Sequence, residues 1–380
     1  MALGAADRAV RAGGGEDRAK GLSTATAAER ADAATPRVEA RGVGLRGGLL
    51  TVGFLVGALG VGLAVGPVHV GLALILRSAL SYVPFLHVHQ PLGAVDRAVL
   101  WQLRAPRVAL GALVGGMLAI AGASYQGVFR NPLCDPYLLG VAGGAGLGAT
   151  LAIVYASAAT SGSWLVPLAA FVGAIAAVVG TYVLGRSAGA VHTTGALVLA
   201  GVTMATFTAA VQTFVQQQHT QQLQNVYAWL LGGFSTATWH DVAICAPYIA
   251  ASSFVLILHR RLLDVLSLGD DEAASLGVDV GRARLTIVAA ATIGTAAAVS
   301  VSGLIAFVGI IVPHTIRLLF STSYRAVIPL SFLAGAGFLV LTDVAARTVL
   351  SPEELPISVV TAFLGAPFFA VVLRTARGVR

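Results

Sequence analysis

The feature that most constrains this chain is a succession of long apolar stretches that are almost free of charged side chains. Only 11% of its residues are charged, whereas soluble domains carry roughly 25%. In hydrocarbon a backbone must satisfy its own hydrogen bonds, which leaves only α-helices and closed barrels. Stretches of about 20 apolar residues match the length of a transmembrane helix. We therefore predict an all-α membrane protein with about ten transmembrane helices.

The predicted spans are separated by short polar or proline-containing turns. The later spans follow one another so closely that some are expected to be broken helices. Glycine and alanine dominate the spans, and small residues let transmembrane helices approach closely. The spans lie at about 48–68, 107–129, 137–156, 165–185, 195–215, 240–259, 285–302, 303–320, 327–346 and 356–373.

The chain divides into a polar N-terminal tail and a membrane domain. Residues 1–46 contain almost no large apolar side chain, which predicts a disordered tail. The tail is basic, and no apolar stretch directly follows its first arginines, so we do not interpret it as a secretory signal. The transmembrane domain is expected to cover residues 47–377.

The distribution of lysine and arginine predicts the orientation. An even number of spans places both termini on the same side of the membrane. Most of the 24 basic residues then fall on the side of the tail. Cytoplasmic loops carry such an excess, so both termini and the tail are expected in the cytoplasm. The opposite side keeps Arg77, Arg97, Arg104, Arg107 and Arg347.

One strongly charged segment, Arg260–Arg284, separates the two apolar halves. It has arginines at both ends and the acids Asp270, Asp271 and Glu272 near its middle. A charge at the bilayer centre costs about 2.5–3.5 kcal/mol or more, so this segment must face water. Glycines bracket a short helix there, and Ser267 or Asp270 is expected to cap it. Because no part of its own chain is an evident partner, we expect this helix to contact another molecule.

The sequence also excludes several functions. Its single lysine, Lys20, lies in the tail, so no phosphate-binding loop of the Gly-Lys-Ser/Thr type is present. Cys134 and Cys245 are isolated, and we predict no metal site and no cofactor. The net charge of +7 follows from the membrane orientation. No basic patch interleaved with aromatic residues indicates nucleic-acid binding.

Four groups of motifs occur in a characteristic order. They are Leu103–Arg107; Gln126–Leu133 followed by Pro136–Val141 and Gly143–Gly146; the charged segment with Leu268, Gly269, Ala273, Leu276 and Gly277; and Gly303–Gly309, Val312–His314 with Arg317, Glu354–Thr361 and Gly365–Phe369. Over about residues 48–377 the chain resembles the permease subunits of ABC importers for iron-siderophores, haem and cobalamin.

This resemblance implies an assembly in the bacterial cytoplasmic membrane. A second permease subunit, as a homodimer, would enclose a central pathway surrounded by membrane lipid. Two ATP-binding subunits would lie below it, and an extracytoplasmic substrate-binding protein would dock above. The charged segment, at about 262–283, would be the loop that couples to the ATPase. Its coupling residues would be Leu268, Gly269, Asp270, Asp271, Glu272, Ala273, Leu276 and Gly277.

The resemblance also assigns roles at the two membrane faces. Arg104, Arg107 and Arg347 would meet acidic residues of the binding protein, since guanidinium groups bind carboxylates in a bidentate manner. The alternative is that they are interfacial arginines whose head groups reach water. A cytoplasmic gate would involve Asn131, Leu133, Thr193 and Thr194. These residues could equally cap helices, and the two roles are compatible.

The leading hypothesis is thus the permease of an importer for a metal chelate. Ferric siderophore is preferred as substrate, and haem or cobalamin remains open. The alternative is a secondary transporter driven by an ion gradient, which usually carries carboxylates within the membrane. Apart from Asp241 at the edge of its span, Asp343 is the only carboxylate within a predicted span, and its spacing from Arg347 predicts an intrahelical pair. A membrane-embedded enzyme is disfavoured, because no catalytic constellation is found in the spans.

Overall fold

The computed structural model describes residues 44–66, 71–81, 90, 92–156, 164–187 and 194–377. The predicted tail therefore lies almost wholly outside the described residues, and so does Thr193. Over this part of the chain the secondary structure is helical throughout, which confirms the predicted all-α class.

The helices are numbered here in chain order. Helix α3 continues through a π-helical segment, Val99–Arg104, into α4, and a 3₁₀ turn, Thr220–Gln222, precedes α8. The bounds are α1 Leu45–Ala64, α2 Leu72–Leu80, α3 Ala94–Ala98, α4 Ala105–Phe129, α5 Val141–Tyr155, α6 Leu165–Ser187, α7 Thr194–Gln218, α8 Leu223–Leu230, α9 Trp239–Leu258, α10 Arg260–Leu266, α11 Asp270–Ser275, α12 Val280–Ser302, α13 Val308–Leu319, α14 Tyr324–Thr348 and α15 Ile357–Arg377.

Ten of these helical segments correspond to the ten predicted spans. Within the described residues, seven are long and apolar enough to cross a membrane. Three shorter apolar helices, Val141–Tyr155, Val308–Leu319 and Ile357–Val372, match the remaining spans. The prediction of a multi-pass helical membrane protein is therefore confirmed, with helix ends shifted by a few residues.

Helix α4 lies at the centre of the bundle. Nearly all of its 25 residues are buried, and it packs against α9, α12, α13 and α14. Two glycines permit this: a Cβ at Gly115 would overlap the carbonyl of Gly335 in α14, and one at Gly122 would overlap that of Gly309 in α13. Transmembrane helices associate through such close packing, because in lipid there is no hydrophobic driving force for helix association.

The other helices surround this centre unevenly. Helix α1 packs on α14, α12 packs on α4, α6 and α9, and α5 pairs with α6. Helix α15 makes few contacts with its own chain, and α7 packs only against one side of the bundle. Both expose large apolar side chains, among them Phe207, Phe214 and Phe363.

A non-helical segment between α12 and α13 confirms the expectation of a broken helix. Gly303 and Phe307, at its two ends, have φ values of 69° and 70°. Its buried backbone finds partners: Ile305 N–H donates to the Tyr137 hydroxyl at 3.0 Å, and that hydroxyl donates to the Ile305 carbonyl at 2.9 Å. Irregular backbone at membrane depth is tolerated only where it is satisfied in this way.

The two ends of the bundle differ in chemistry. We call the end that carries α10 and α11 the loop end. The opposite end, where α4 begins and α14 finishes, carries Arg104, Arg107 and Arg347 and is called the arginine end.

The glycine contacts of α4 predict a sharp difference between two similar substitutions. Gly122→Val forces α4 away from α13, because its Cβ meets backbone that cannot rotate aside. Overpacking of this kind costs about 1–3 kcal/mol, so thermal unfolding in detergent should occur several degrees lower. Gly57→Val in α1, where no atom lies within 4 Å of the added Cβ, is the matched control and should unfold like the parent. Equal unfolding temperatures for both variants would contradict this packing.

Candidate functional site

The short helix predicted in the charged segment is present as α11, and two glycines bracket it. Gly269 precedes it with φ 145°, and Gly277 follows it with φ 80°. The acids Asp270, Asp271 and Glu272 occupy its first turn, where carboxylates favour the positive end of a helix. The expected side-chain cap is wrong: Gly269 is the N-cap, and the Ser267 hydroxyl donates to the Asp264 carbonyl instead.

Helix α11 is anchored to its own chain, contrary to the expectation that it has no partner there. The Asp270 carboxylate accepts hydrogen bonds from Arg284 Nη2 at 3.0 Å to each oxygen. Arg130, which ends α4 in a left-handed conformation (φ 51°), lies 3.4 Å from the same carboxylate. Ala273 is fully buried in the main hydrophobic core. One face of α11 is thus fixed to α4 and α12.

The opposite face of α11 and its flanks are open. Leu268 and Leu276 are 57% and 64% exposed, and Asp271 and Glu272 are exposed beside them. These two exposed leucines and two acids form a surface suited to a protein partner, because the other face of α11 is anchored to the bundle. We call these four residues the coupling face.

Helix α10 has its own anchor, which the sequence analysis did not single out. The Asp264 carboxylate accepts hydrogen bonds from Ser323 Oγ at 2.9 Å and from Tyr324 N–H at 2.6 Å. These contacts satisfy the first turn of α14, whose free N–H groups attract an anion. The partners are about 60 residues apart in the chain, so no local spacing indicates them.

The proposed gate residues that the structure describes lie at the loop end. Asn131 Oδ1 accepts the backbone N–H of Leu133 at 2.9 Å, which stabilises the turn after α4, while the Leu133 side chain is 55% exposed. Thr194 is the first residue of α7, and Thr193 is outside the described residues. The Asn131 side chain thus stabilises a turn and does not cap a helix, and the gate remains a prediction.

The same turn holds a partly buried acid, Asp135. Burial raises the pKa of its carboxyl to about 6, although the Tyr137 N–H, at 2.8 Å, favours the charged form. A carboxyl with a raised pKa stabilises the fold at low pH, and that contribution is lost as the pH rises through about 6. Ionisation of Asp135 therefore destabilises the fold progressively between its ordinary pKa of 3.8 and about 6.

At the arginine end, Arg107 is the centre of an ion-pair network. Its Nε lies 3.0 Å from both Asp343 oxygens and its Nη2 lies 2.8 Å from one of them. Its Nη1 and Nη2 also donate to Glu354 at 2.8 and 3.0 Å. Arg347 Nε approaches Asp343 at 3.7 Å, which is the predicted intrahelical pair. Two carboxylates therefore neutralise a guanidinium that would otherwise be buried alone.

The two other arginines bind the end of α1. Arg104 Nη1 donates to the carbonyls of Leu63 and Ala64 at 3.0 and 3.2 Å, and Arg347 Nη2 donates to that of Gly62 at 2.6 Å. The last carbonyls of a helix lack intrahelical partners and carry partial negative charge. Arginines from α14 and from the segment before α4 thus cap a helix that has no basic residue in its own last turn.

The three predicted docking arginines are therefore held mainly within the chain. Arg104 and Arg347 are 5% and 6% exposed. Of the three, Arg107 is the one that reaches an exposed carboxylate, since the Glu354 side chain is 38% exposed. Docking through these three arginines remains a prediction. Arg107 is the best placed of them to contact a partner.

Among the described residues, no group of three His, Cys, Asp or Glu side chains lies close enough together to hold a metal ion.

A hydrogen-bonded bridge lies inside the bundle. Arg317 Nη1 donates to Gln126 Oε1 at 2.6 Å, and Gln126 Nε2 donates to the Gly309 carbonyl at 3.0 Å. These hydrogen bonds connect α4 to α13, so Arg317 has a structural role.

The arginine-end network predicts which carboxylate matters for stability. Asp343→Asn leaves Arg107 and Arg347 buried beside a neutral amide, and breaking a buried pair costs about 3–5 kcal/mol. Its unfolding temperature in detergent should fall strongly. Glu354→Gln removes an exposed partner, worth about 0–1 kcal/mol, and serves as control with little change. Similar losses for the two variants would refute the network as described.

Comparison with known proteins places this geometry in a family. Residues 52–375 match the FecCD transport family. The cobalamin import system permease protein BtuC of Halobacterium salinarum is 41% identical over 279 residues, covering 73% of this chain and 74% of that protein. The hemin transport system permease protein HmuU of Yersinia pestis is 36% identical over 270 residues, covering 70% of this chain and 80% of that protein.

A third relative and a solved structure agree. A protein of Helicobacter pylori (strain 26695), named as a probable iron chelatin transport system permease, is 36% identical over 299 residues, covering 78% and 87% of the two chains. A solved ABC transporter, described as of the metal-chelate type and inward-facing, superposes with a TM-score of 0.75 at 27% identity, covering 86% of this chain and 98% of that one. The chain therefore belongs to the FecCD transport family, as its motifs indicated.

Proposed function

We propose that this chain is the membrane-spanning permease of an ABC importer that moves a metal chelate into the cytoplasm. The observation that carries the proposal is α11: Asp270 and Ala273 fix it to α4 and α12, while its coupling face is open. Such a helix suits a separate ATPase subunit that drives the permease from outside the bilayer. In this assignment the chain is not itself an enzyme, and ATP is hydrolysed by its partner.

A second copy of the chain would fit against helices α7 and α15. Helices α7 and α15 expose phenylalanines that no other described part of the chain covers. In the proposed homodimer they would line the interface and the central pathway. Each copy would then present one coupling face, which accounts for two ATP-binding subunits.

The loop end would face the cytoplasm, together with both termini, and the arginine end would face the binding protein outside. Asp343 argues against the alternative of an ion-driven transporter. Its carboxylate is engaged by Arg107 and Arg347, and an acid held by two guanidinium groups is a poor proton carrier.

The substrate is proposed only as a metal chelate. Relatives are named for cobalamin, hemin and iron chelatin. Ferric siderophore is the preference from the sequence, and the 41% identity to a cobalamin permease makes cobalamin the second candidate. Uptake of each labelled chelate by cells that express the complete importer distinguishes them.

The coupling assignment predicts a loss of transport without a loss of folding. Replacing Asp270–Ser275 by a Gly/Ser linker should abolish uptake, but it also removes the structural anchors Asp270 and Ala273. The sharper variant is Leu276→Asp, which changes only an exposed side chain of the coupling face. It should reduce substrate-stimulated ATPase activity of the reconstituted importer at least tenfold, since a charge would enter an apolar contact.

The matched control for coupling is Leu45→Asp, another exposed leucine at the loop end but outside the charged segment. It should couple like the parent. Stimulated ATPase activity that is unchanged in Leu276→Asp and in the linker variant would contradict the assignment of α11.

The docking assignment predicts weaker binding of the substrate-binding protein when Arg107 is neutralised. Arg107→Gln should lower its affinity about tenfold in nanodiscs, with a smaller salt dependence, because rim charges act mainly on association. Arg104→Gln and Arg347→Gln should have smaller effects, since their side chains are buried. Glu354→Gln keeps Arg107 and should bind at least as tightly as the parent. Parental affinity in a correctly folded Arg107→Gln would leave these arginines as structural groups.

A further inference from the structure

A second site lies at the start of α12, and none of its lining residues belongs to the coupling face. A cavity of about 390 Å³ opens at the loop end between α6 and the start of α12. Its walls are mainly apolar, with Val178 and Tyr182 on α6 and Leu285 and Val288 on α12. Leu285 also borders a second apolar groove of about 680 Å³ between α9 and α12. The two depressions thus meet at one exposed leucine.

The rim of the cavity carries arginines. Arg282 and Arg284 line it, together with Asp279. Arg282 is 89% exposed and is paired with Asp279 at 3.1 Å, and an exposed pair of this kind is weak enough to exchange partners. Arg284 Nη2 donates a hydrogen bond to Asp270. The Arg284 Nε is buried and has no hydrogen-bond partner among the described residues. The rim therefore offers donors that an incoming anion can use.

The charges at this rim do not balance. Arg130 and Arg284 share the single carboxylate of Asp270, and Arg282 has that of Asp279. Among the residues that line the cavity itself, Arg282 and Arg284 contribute two guanidinium groups and Asp279 contributes one carboxylate, so the edge of this apolar cavity has more positive than negative groups. A phosphodiester with acyl chains matches both properties, whereas free phosphate would use the rim and leave the apolar walls uncovered.

We propose that this cavity binds an anionic phospholipid, with its phosphate at Arg282 and Arg284 and its acyl chains on the apolar walls beside Leu285. Basic pockets between transmembrane helices bind lipid head groups in this manner. Arg284 also holds Asp270, the first residue of α11, so the head group lies next to the anchor of the coupling face. Occupancy would steady that anchor. Assignment to the cytoplasmic leaflet rests on the proposed function, but the binding does not.

The test uses the full chain, purified in detergent and examined by native mass spectrometry. Phosphatidylglycerol should be retained at least fivefold more than phosphatidylcholine added at equal concentration, and it should raise the unfolding temperature. Arg282→Gln should abolish this preference, and Arg282→Lys should keep part of it. Arg261→Gln, an exposed arginine at the same end but outside the cavity, should behave like the parent.

Three results would overturn the proposal. One is equal retention of the two lipids by the parent chain. Another is the same loss in Arg282→Gln and Arg261→Gln, which would indicate general surface charge. The third is stabilisation by inorganic phosphate alone equal to that by phosphatidylglycerol, which would indicate a site for a free anion. Because none of these readouts involves transport, they are independent of whether the proposed import activity is correct.

Discussion

The close approach of α4 to its neighbours is the contact on which the remaining architecture depends. Gly115 meets Gly335 and Gly122 meets Gly309 backbone to backbone. Since lipid is as apolar as the helices, van der Waals packing must hold them together. These glycines allow α4 to be enclosed by α9, α12, α13 and α14, and they also set where its two ends emerge.

Each end of α4 carries an arginine that binds another element. Arg107 joins Asp343 and Glu354 at the arginine end, and Arg130 joins Asp270 of α11 at the loop end. Helix α4 has 25 residues and is therefore about 37 Å long at 1.5 Å per residue. Because both arginines belong to one continuous helix and its C-cap, a tilt of α4 would change the contacts at both ends. The two candidate sites are therefore connected through α4.

Much of the fold was predictable because its signals are local. Apolar length indicated the ten spans, charge located α11, and a spacing of four residues gave the Asp343–Arg347 pair. The contacts that the sequence did not reveal are remote: Arg107 and Asp343 are 236 residues apart, and Arg104 lies 41 residues from the Leu63 carbonyl that it binds. Neither periodicity nor spacing carries that information. For the same reason Ala273, one small residue in a charged loop, gave no sign of being buried.

Burial of the arginines changes how the charge distribution is understood. Five basic residues are assigned to the arginine end. Arg104, Arg107 and Arg347 are held by contacts within the chain, whereas Arg77 and Arg97 are exposed. The water-facing surface at that end is therefore poorer in positive charge than the sequence count indicates. Burial also removes Arg284 from the exposed charge of the loop end, so the proposed orientation still depends on the sequence count. It also limits docking: an acid from a binding protein must compete with Glu354 for Arg107, so binding there is an exchange of carboxylates.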